Sequence, residues 1–120
     1  QDNWVVVGDL NDYPDDKTSL KKMLNSPLME NIVQTRIANP SEQWTHYWDT
    51  TTVPVEERYK QIDYIFLSKK LATTNPAAVP LIVRNGLITK ATRYTGPRFP
   101  NVTDRQGASD HCPVVISIKL

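Results

Sequence analysis

Three short stretches hold the side chains able to do acid–base or metal chemistry: Gly8-Asp9-Leu10-Asn11, Ile62-Asp63-Tyr64-Ile65-Phe66-Leu67 and Ser109-Asp110-His111-Cys112-Pro113. An aspartate can hold or deprotonate a water, and the amide of Asn11 can donate to an oxygen that gains negative charge. Asp9 and Asn11 lie two apart, so in an extended segment they project to the same side and reach one ligand. The plain structural alternative is an Asx turn closing a strand. Asp63 shares a strand face with Ile65 and Leu67, where an unpaired carboxylate costs several kcal/mol of desolvation. It therefore needs a partner, and His111 is the candidate. An acid accepting from one ring nitrogen fixes the tautomer and leaves the other nitrogen for substrate. A buried Asp–His bond with no catalytic duty is the alternative there. Asp110 and Asp9 are expected to form part of an oxygen-rich site of the kind Mg²⁺ or Mn²⁺ prefers.

These residues have to be positioned by strands. Val114-Val115-Ile116-Ser117-Ile118 follows Pro113, which donates no ladder hydrogen bond and suits a strand's first position. Val114, Ile116 and Ile118 then share one face and leave Asp110 and His111 at the rim. Trp4-Val5-Val6-Val7 reads as a central strand buried on both faces, with Gly8 permitting a tight exit. Ile62 to Leu67 is the clearest internal strand, with Ile62, Tyr64 and Phe66 opposite Asp63, Ile65 and Leu67.

The connecting segments follow from local signals. Lys17 to Leu24 predicts a short amphipathic helix with Leu20, Met23 and Leu24 on one face, stopped by Pro27. Asn31 to Ile37 reads as a strand or an irregular crossing, Trp44 to Trp48 has strand character, and Lys69 to Ala72 makes a helical turn. Asn85-Gly86 predicts a hairpin between Leu81-Ile82-Val83 and Leu87-Ile88-Thr89. Tyr94 to Ala108 reads as a long loop delivering the chain to Ser109.

Composition sets the bounds. The 120 residues carry a formal net charge of +1, with 39% hydrophobic and 22% charged residues, which is ordinary for a globular domain. So small a net charge predicts no global attraction to polyanions. The apolar runs are too short to span a membrane, and no signal-peptide pattern opens the chain. The single cysteine, Cys112, cannot form an intrachain disulfide and is expected to pack as a small apolar residue. Zinc is the poorer metal, because spaced Cys/His pairs are absent and His46 sits in an aromatic segment suited to packing or a surface hydrogen bond. A Ser109–His111 nucleophile pair lacks the elbow and glycine-rich segment that would support it. No repeat or linker divides the chain.

In this order, the three stretches resemble the endonuclease/exonuclease/phosphatase family, which includes deoxyribonuclease I, exonuclease III and apurinic endonucleases. The resemblance implies an α/β (α+β) fold: the carboxyl-terminal half of a four-layer α/β/β/α sandwich, with mostly antiparallel or mixed sheet, residues 1–120 forming one partial domain. It implies a metal-dependent phosphoric ester hydrolase using Mg²⁺ or Mn²⁺ and in-line attack of water. Position by position, Asp9 would orient or deprotonate that water and Asn11 would stabilise the transition state. Asp63 would pair with His111, which contacts the phosphate, and Asp110 would lie at or near the metal.

The family's amino-terminal half, with a metal-binding glutamate, is expected to be missing. Glu30, Glu42, Glu56 and Glu57 occupy none of its motif contexts, and Gln1 in place of an initiator methionine is expected to mark a longer product that has lost its front portion. The isolated chain is therefore expected to bind metal weakly and hydrolyse poorly. An exposed sheet face would be covered by that half or by a second copy of the chain. A noncatalytic binding or structural half-domain working through that face is the alternative function. The resemblance implies a phosphate-ester substrate, with nucleic acid one candidate. Lys90, Arg93, Arg98 and Arg105 are candidates for holding phosphate, and Trp44, Tyr47 and Trp48 for stacking on a base; solvated cations and a packed aromatic strand are the plain alternatives.

Overall fold

The structure is a computed structural model that describes residues 2–15, 17, 19–85, 87, 91–96 and 109–120. The chain folds as mixed α and β, with antiparallel sheets and few, short helices. Strand β5 (Asp63–Ser68) is the centre of a sheet ordered β1-β5-β2, where β1 is Val5–Asp9 and β2 is Met29–Asn31. Both neighbours run antiparallel to it. Its alternation is used on both faces. Tyr64 and Phe66 pack with Leu20 and, from the short helix α1 (Lys21–Leu24), with Met23 and Leu24. Ile65 and Leu67 pack with Ile32 of α2 (Ile32–Arg36) and with Leu71 and Ala72 of α3 (Lys69–Thr74). Val114, Ile116 and Ile118 cover that second face, and their alternating burial continues past the two residues, Val114–Val115, that form strand β7.

A second antiparallel assembly carries the motif loop. Strands β3 (His46–Tyr47) and β4 (Tyr59–Lys60) pair with each other, and β6 (Leu81–Ile82) pairs with β7. An isolated bridge between His46 and His111 joins β3 to the chain just before β7. The Cys112 amide donates to the Thr45 carbonyl at 2.6 Å, and the Val83 amide donates to the Pro113 carbonyl at 2.8 Å. Between this assembly and α2, Val33, Trp44, Tyr47, Tyr59, Ile82, Leu87, Ala91 and Cys112 form one core cluster.

Several expectations are corrected. The valine run is not a doubly buried central strand: among the described residues β1 is an edge of its sheet, with Val5 43% and Val7 66% exposed. Only Val6 turns into the core, toward Tyr64 and Phe66. A β-branched run fits any pleated strand, and what lies over its faces is a nonlocal matter. Asn31 to Ile37 is neither a plain strand nor irregular, because β2 ends at Asn31 and α2 begins at Ile32. For β6, the partner among the described residues is β7, while Leu87 closes a turn onto the Arg84 carbonyl. Gly86, Ile88 and Thr89 lie outside the described residues, as do Lys90, Arg98, Arg105 and most of the loop before Ser109.

Candidate active site

The register of β1 against β5 sets Asp9 directly opposite Asp63, so both carboxylates stand on the face that carries Val7 and Ile65. After Asp9 the ladder continues for one more bond, from the Leu10 amide to the Ile62 carbonyl at 2.9 Å. The chain then turns away. Asn11 adopts a left-handed conformation with φ of 50°, which asparagine tolerates better than most residues. Its amide donates to Asp9 Oδ1 at 2.9 Å. The Asx turn is therefore real, and it holds the Asp9 carboxylate while removing Asn11 from the extended geometry expected for it.

Asp63 is held from three sides. Its amide and that of Ile62 both donate to the hydroxyl of Thr45, each at 3.1 Å. Before it, the side-chain amides of Asn31 and Gln61 bond each other reciprocally at 3.1 and 3.3 Å in a buried pair. After it, the buried Tyr64 hydroxyl donates to the Asp12 carbonyl at 2.7 Å and ties the β1 exit to the sheet. Burial, ahead of the nearby aspartates, raises the pKa of that phenol, so it stays a neutral donor.

His111 reaches Asp63 as its chemistry requires, with Nδ1 at 3.0 and 3.1 Å from the two carboxylate oxygens. The side chains are 30% and 21% exposed, so neither is sealed from a ligand. A carboxylate can only accept, so Nδ1 carries the hydrogen and Nε2 is left for another partner. The Ser109 hydroxyl accepts from the His111 amide at 3.0 Å, a turn-closing bond rather than one to the imidazole. Asp9, Asp63, Ser109 and His111 rim a cavity of about 550 Å³ whose apolar wall includes Val7, Ile65 and Val114.

Asp110 lies on the other side of His111. Its Oδ2 is 3.0 Å from His46 Nε2, and the two imidazole centroids are 4.8 Å apart. His46 and Asp110 line a neighbouring pocket of about 390 Å³ together with Asn11, Trp48 and Lys60. Two groups of potential metal-binding side chains share His111: Asp9, Asp63 and His111, and separately His46, Asp110 and His111. Among the described residues no such group contains both Asp9 and Asp110.

The remaining candidates divide cleanly. Trp44 and Tyr47 are buried in the core, whereas Trp48 is 49% exposed at the second pocket. The Arg93 guanidinium lies over the Tyr59 ring at 4.1 Å. Glu30 is bound by Arg36 at 2.6 Å, and Glu42 faces Arg84 at 3.8 Å. Glu56 and Glu57 lie in the exposed one-turn helix Val55–Arg58. Cys112 is buried as expected, and burial pushes its thiol up to about 11, away from thiolate chemistry. Thr45 escaped the residue-by-residue reading, and His46, read as a packing residue or a surface hydrogen bond, makes that hydrogen bond with Asp110 beside His111. Their only signal was a polar pair inside an aromatic strand segment.

The endonuclease/exonuclease/phosphatase family model matches residues 1–111, nearly the whole chain and all the residues of both groups of potential metal ligands. The chain belongs to the endonuclease/exonuclease/phosphatase family. No curated protein and no solved structure matches it. The antiparallel α and β architecture is compatible with the family's fold, and the family in general acts as metal-dependent phosphoesterases and nucleases. Groups suited to a divalent ion accompany that assignment here.

Proposed function

We propose that this chain provides the water-activating and phosphate-binding rim of a divalent-metal-dependent phosphoesterase that hydrolyses a phosphodiester or phosphomonoester. The observation that carries the reading is the Asp63–His111 pair opening onto a cavity whose rim also holds Asp9. In it, Asp9 orients the attacking water and accepts its proton, a task suited to a carboxylate held by the Asn11 amide. Asp63 fixes the His111 ring so that Nε2 meets a phosphoryl oxygen, and a protonated ring offsets the charge that grows there during in-line attack. Asn11, at the adjoining pocket, offers its side-chain amide to the same developing charge.

A hard cation suits the Asp9 carboxylate, which stands in one group with Asp63 and has Oδ1 held by the Asn11 amide, since Mg²⁺ requires only one or two carboxylates beside water and phosphate oxygens. Asp9 would hold Mg²⁺ or Mn²⁺, which when bound supplies positive charge against the phosphoryl group, with Asp110, which shares no group of possible ligands with Asp9, near that ion rather than on it. We further propose that a glutamate from outside these 120 residues completes the metal site, making this chain the carboxyl-terminal half of the domain. The support is that each glutamate in the sequence lies away from the rim, engaged elsewhere or in the exposed one-turn helix. A nucleic acid is one candidate substrate, supported by exposed Trp48 and by Lys60 beside Asn11 and Asp110.

The test is Mg²⁺-dependent hydrolysis of a generic phosphodiester by the polypeptide carrying these residues, and by its Asp9→Asn and His111→Ala variants. Loss of turnover in both is the expected result, and unaffected turnover in both overturns the assignment. The alternative, a noncatalytic module that binds or self-associates through its sheet face, draws on exposed Val5 and Val7. It predicts a concentration-dependent dimer in sedimentation, and a monomer at all concentrations would remove it.

A further inference from the structure

The sequence holds only two histidines, 65 positions apart, and no spaced Cys/His pairs. Folding brings them together. The His46–His111 bridge lines their backbones up as antiparallel partners, the ring centroids stand 4.8 Å apart, and Asp110 adds its carboxylate. One ligand atom from each of His46, Asp110 and His111 lies within 4.8 Å of the other two. We propose that these three residues form a binding site for a borderline-soft divalent cation such as Zn²⁺ or Co²⁺, distinct in chemistry from the oxygen-ligated Mg²⁺ or Mn²⁺ of the proposed reaction.

Four observations point the same way. Two imidazoles with one carboxylate is a donor set that favours zinc and its neighbours over magnesium, and three protein ligands leave a position open for water or substrate. The His46 Nε2 and Asp110 Oδ2 already stand 3.0 Å apart, near the separation of about 3.3 Å between two ligands of one tetrahedral zinc. Between two such atoms there is room for a proton or a metal ion, and without either their lone pairs repel. Asp63 then serves as the outer carboxylate that holds Nδ1 of His111 and leaves Nε2 as the metal-binding nitrogen. Finally, the pocket of about 390 Å³ lined by His46 and Asp110 gives the ion an entry path.

The other triad, Asp9, Asp63 and His111, is the weaker zinc site. It offers one imidazole with two carboxylates, a harder donor set than two imidazoles with one. Zinc at the His46 site would also withdraw His111 from phosphate and so inhibit hydrolysis, a consequence that rests on the proposed function, whereas binding itself does not.

The experiment is therefore a binding measurement on the 120-residue chain in millimolar Mg²⁺. Long-range ¹H–¹⁵N spectra of the imidazoles assign both rings without substitution, because the chain has two histidines and no more. One equivalent of Zn²⁺ is expected to move both rings to a metal-bound pattern. A response from one ring alone, or from neither, overturns the site. Competition against a chromophoric chelator gives the second readout. His46→Gln and Asp110→Asn are expected to weaken Zn²⁺ binding roughly 100-fold or more, at least the loss seen when an outer partner of a metal ligand is removed. Asp9→Asn is expected to bind Zn²⁺ as the unsubstituted chain does. Equal weakening by Asp9→Asn moves the ion to the other triad and sinks the proposal. Circular dichroism of each variant confirms that it folds, and the spectra of the unsubstituted chain decide the matter where one does not.

Discussion

Arg36 and His111 are both polar, partly buried and central to a network, yet they serve opposite ends. Arg36 donates through Nε to Glu30, through Nη1 to the Asn75 and Ala78 carbonyls, and through Nη2 to the Ala72 carbonyl. Its fork closes the end of α3 and fastens it to α2, so its donors are directed at fixed protein acceptors. His111 has one nitrogen fixed by Asp63, and the ring lines the cavity that Asp9 and Asp63 also line. A saturated polar group holds a fold together, whereas one with valence to spare at a cavity can meet a ligand.

The largest effect should come from the unsaturated side. His111→Ala is expected to lower hydrolysis by about 10²–10⁴-fold, the usual contribution of a positioned acid or base, while costing about 1–2 kcal/mol of stability, since Asp63 loses its partner but is open enough to the cavity for water to take its place. Turnover and urea denaturation measured on one preparation separate the two numbers. Arg36→Ala should do the reverse, costing about 3 kcal/mol because Glu30 and three carbonyls lose their donor in a mostly buried place. Its turnover per folded molecule should match the unsubstituted protein. An equal fall in turnover would erase the contrast between the two residues.

Thr45 tests the ground between them. Thr45→Val keeps the shape but strands the Ile62 and Asp63 amides, which should cost about 2 kcal/mol, within the range for unsatisfied buried donors. Since one of those amides belongs to Asp63, the substitution should also disturb the His111 ring resonances, and unchanged resonances would make Thr45 purely structural.

The smallest effect is a pH dependence. Burial pushes the Glu30 carboxyl upward, but hydrogen bonds from Arg36 and Thr35 outweigh it and hold the group below its ordinary value of 4.5. A group with a depressed folded-state pKa contributes stability above its ordinary value and loses that contribution as pH falls through the folded-state value. Glu30→Gln should therefore destabilise the protein at neutral pH, and the gap between the two denaturation midpoints should narrow as pH drops below about 4.5. A gap constant with pH would show that Glu30 acts through packing alone.

The Asp63–His111 contact was legible because both signals were local. Alternation from Ile62 to Leu67 placed a carboxylate on an apolar face, and such a group demands a polar partner. The short helix around Leu20, Met23 and Leu24, the helical turn after Lys69 and the burial of Cys112 were local in the same sense. The position of β1 was not, because Val5-Val6-Val7 looks the same with or without an element stacked on it. Nor was the separation of Asp9 from Asp110, which fall into different groups of possible ligands around His111.

The residue order alone determined the strand periods, the motif residues and hence the family, since these are written in neighbouring side chains. Tertiary structure alone decided that His46 meets His111, that Thr45 holds the amide of Asp63, and that Asp9 and Asp110 fall on different sides of one imidazole. Those facts come from strand register and bridge pairing between segments dozens of residues apart. A register is selected by the summed packing of whole faces, and no single stretch of sequence contains that sum.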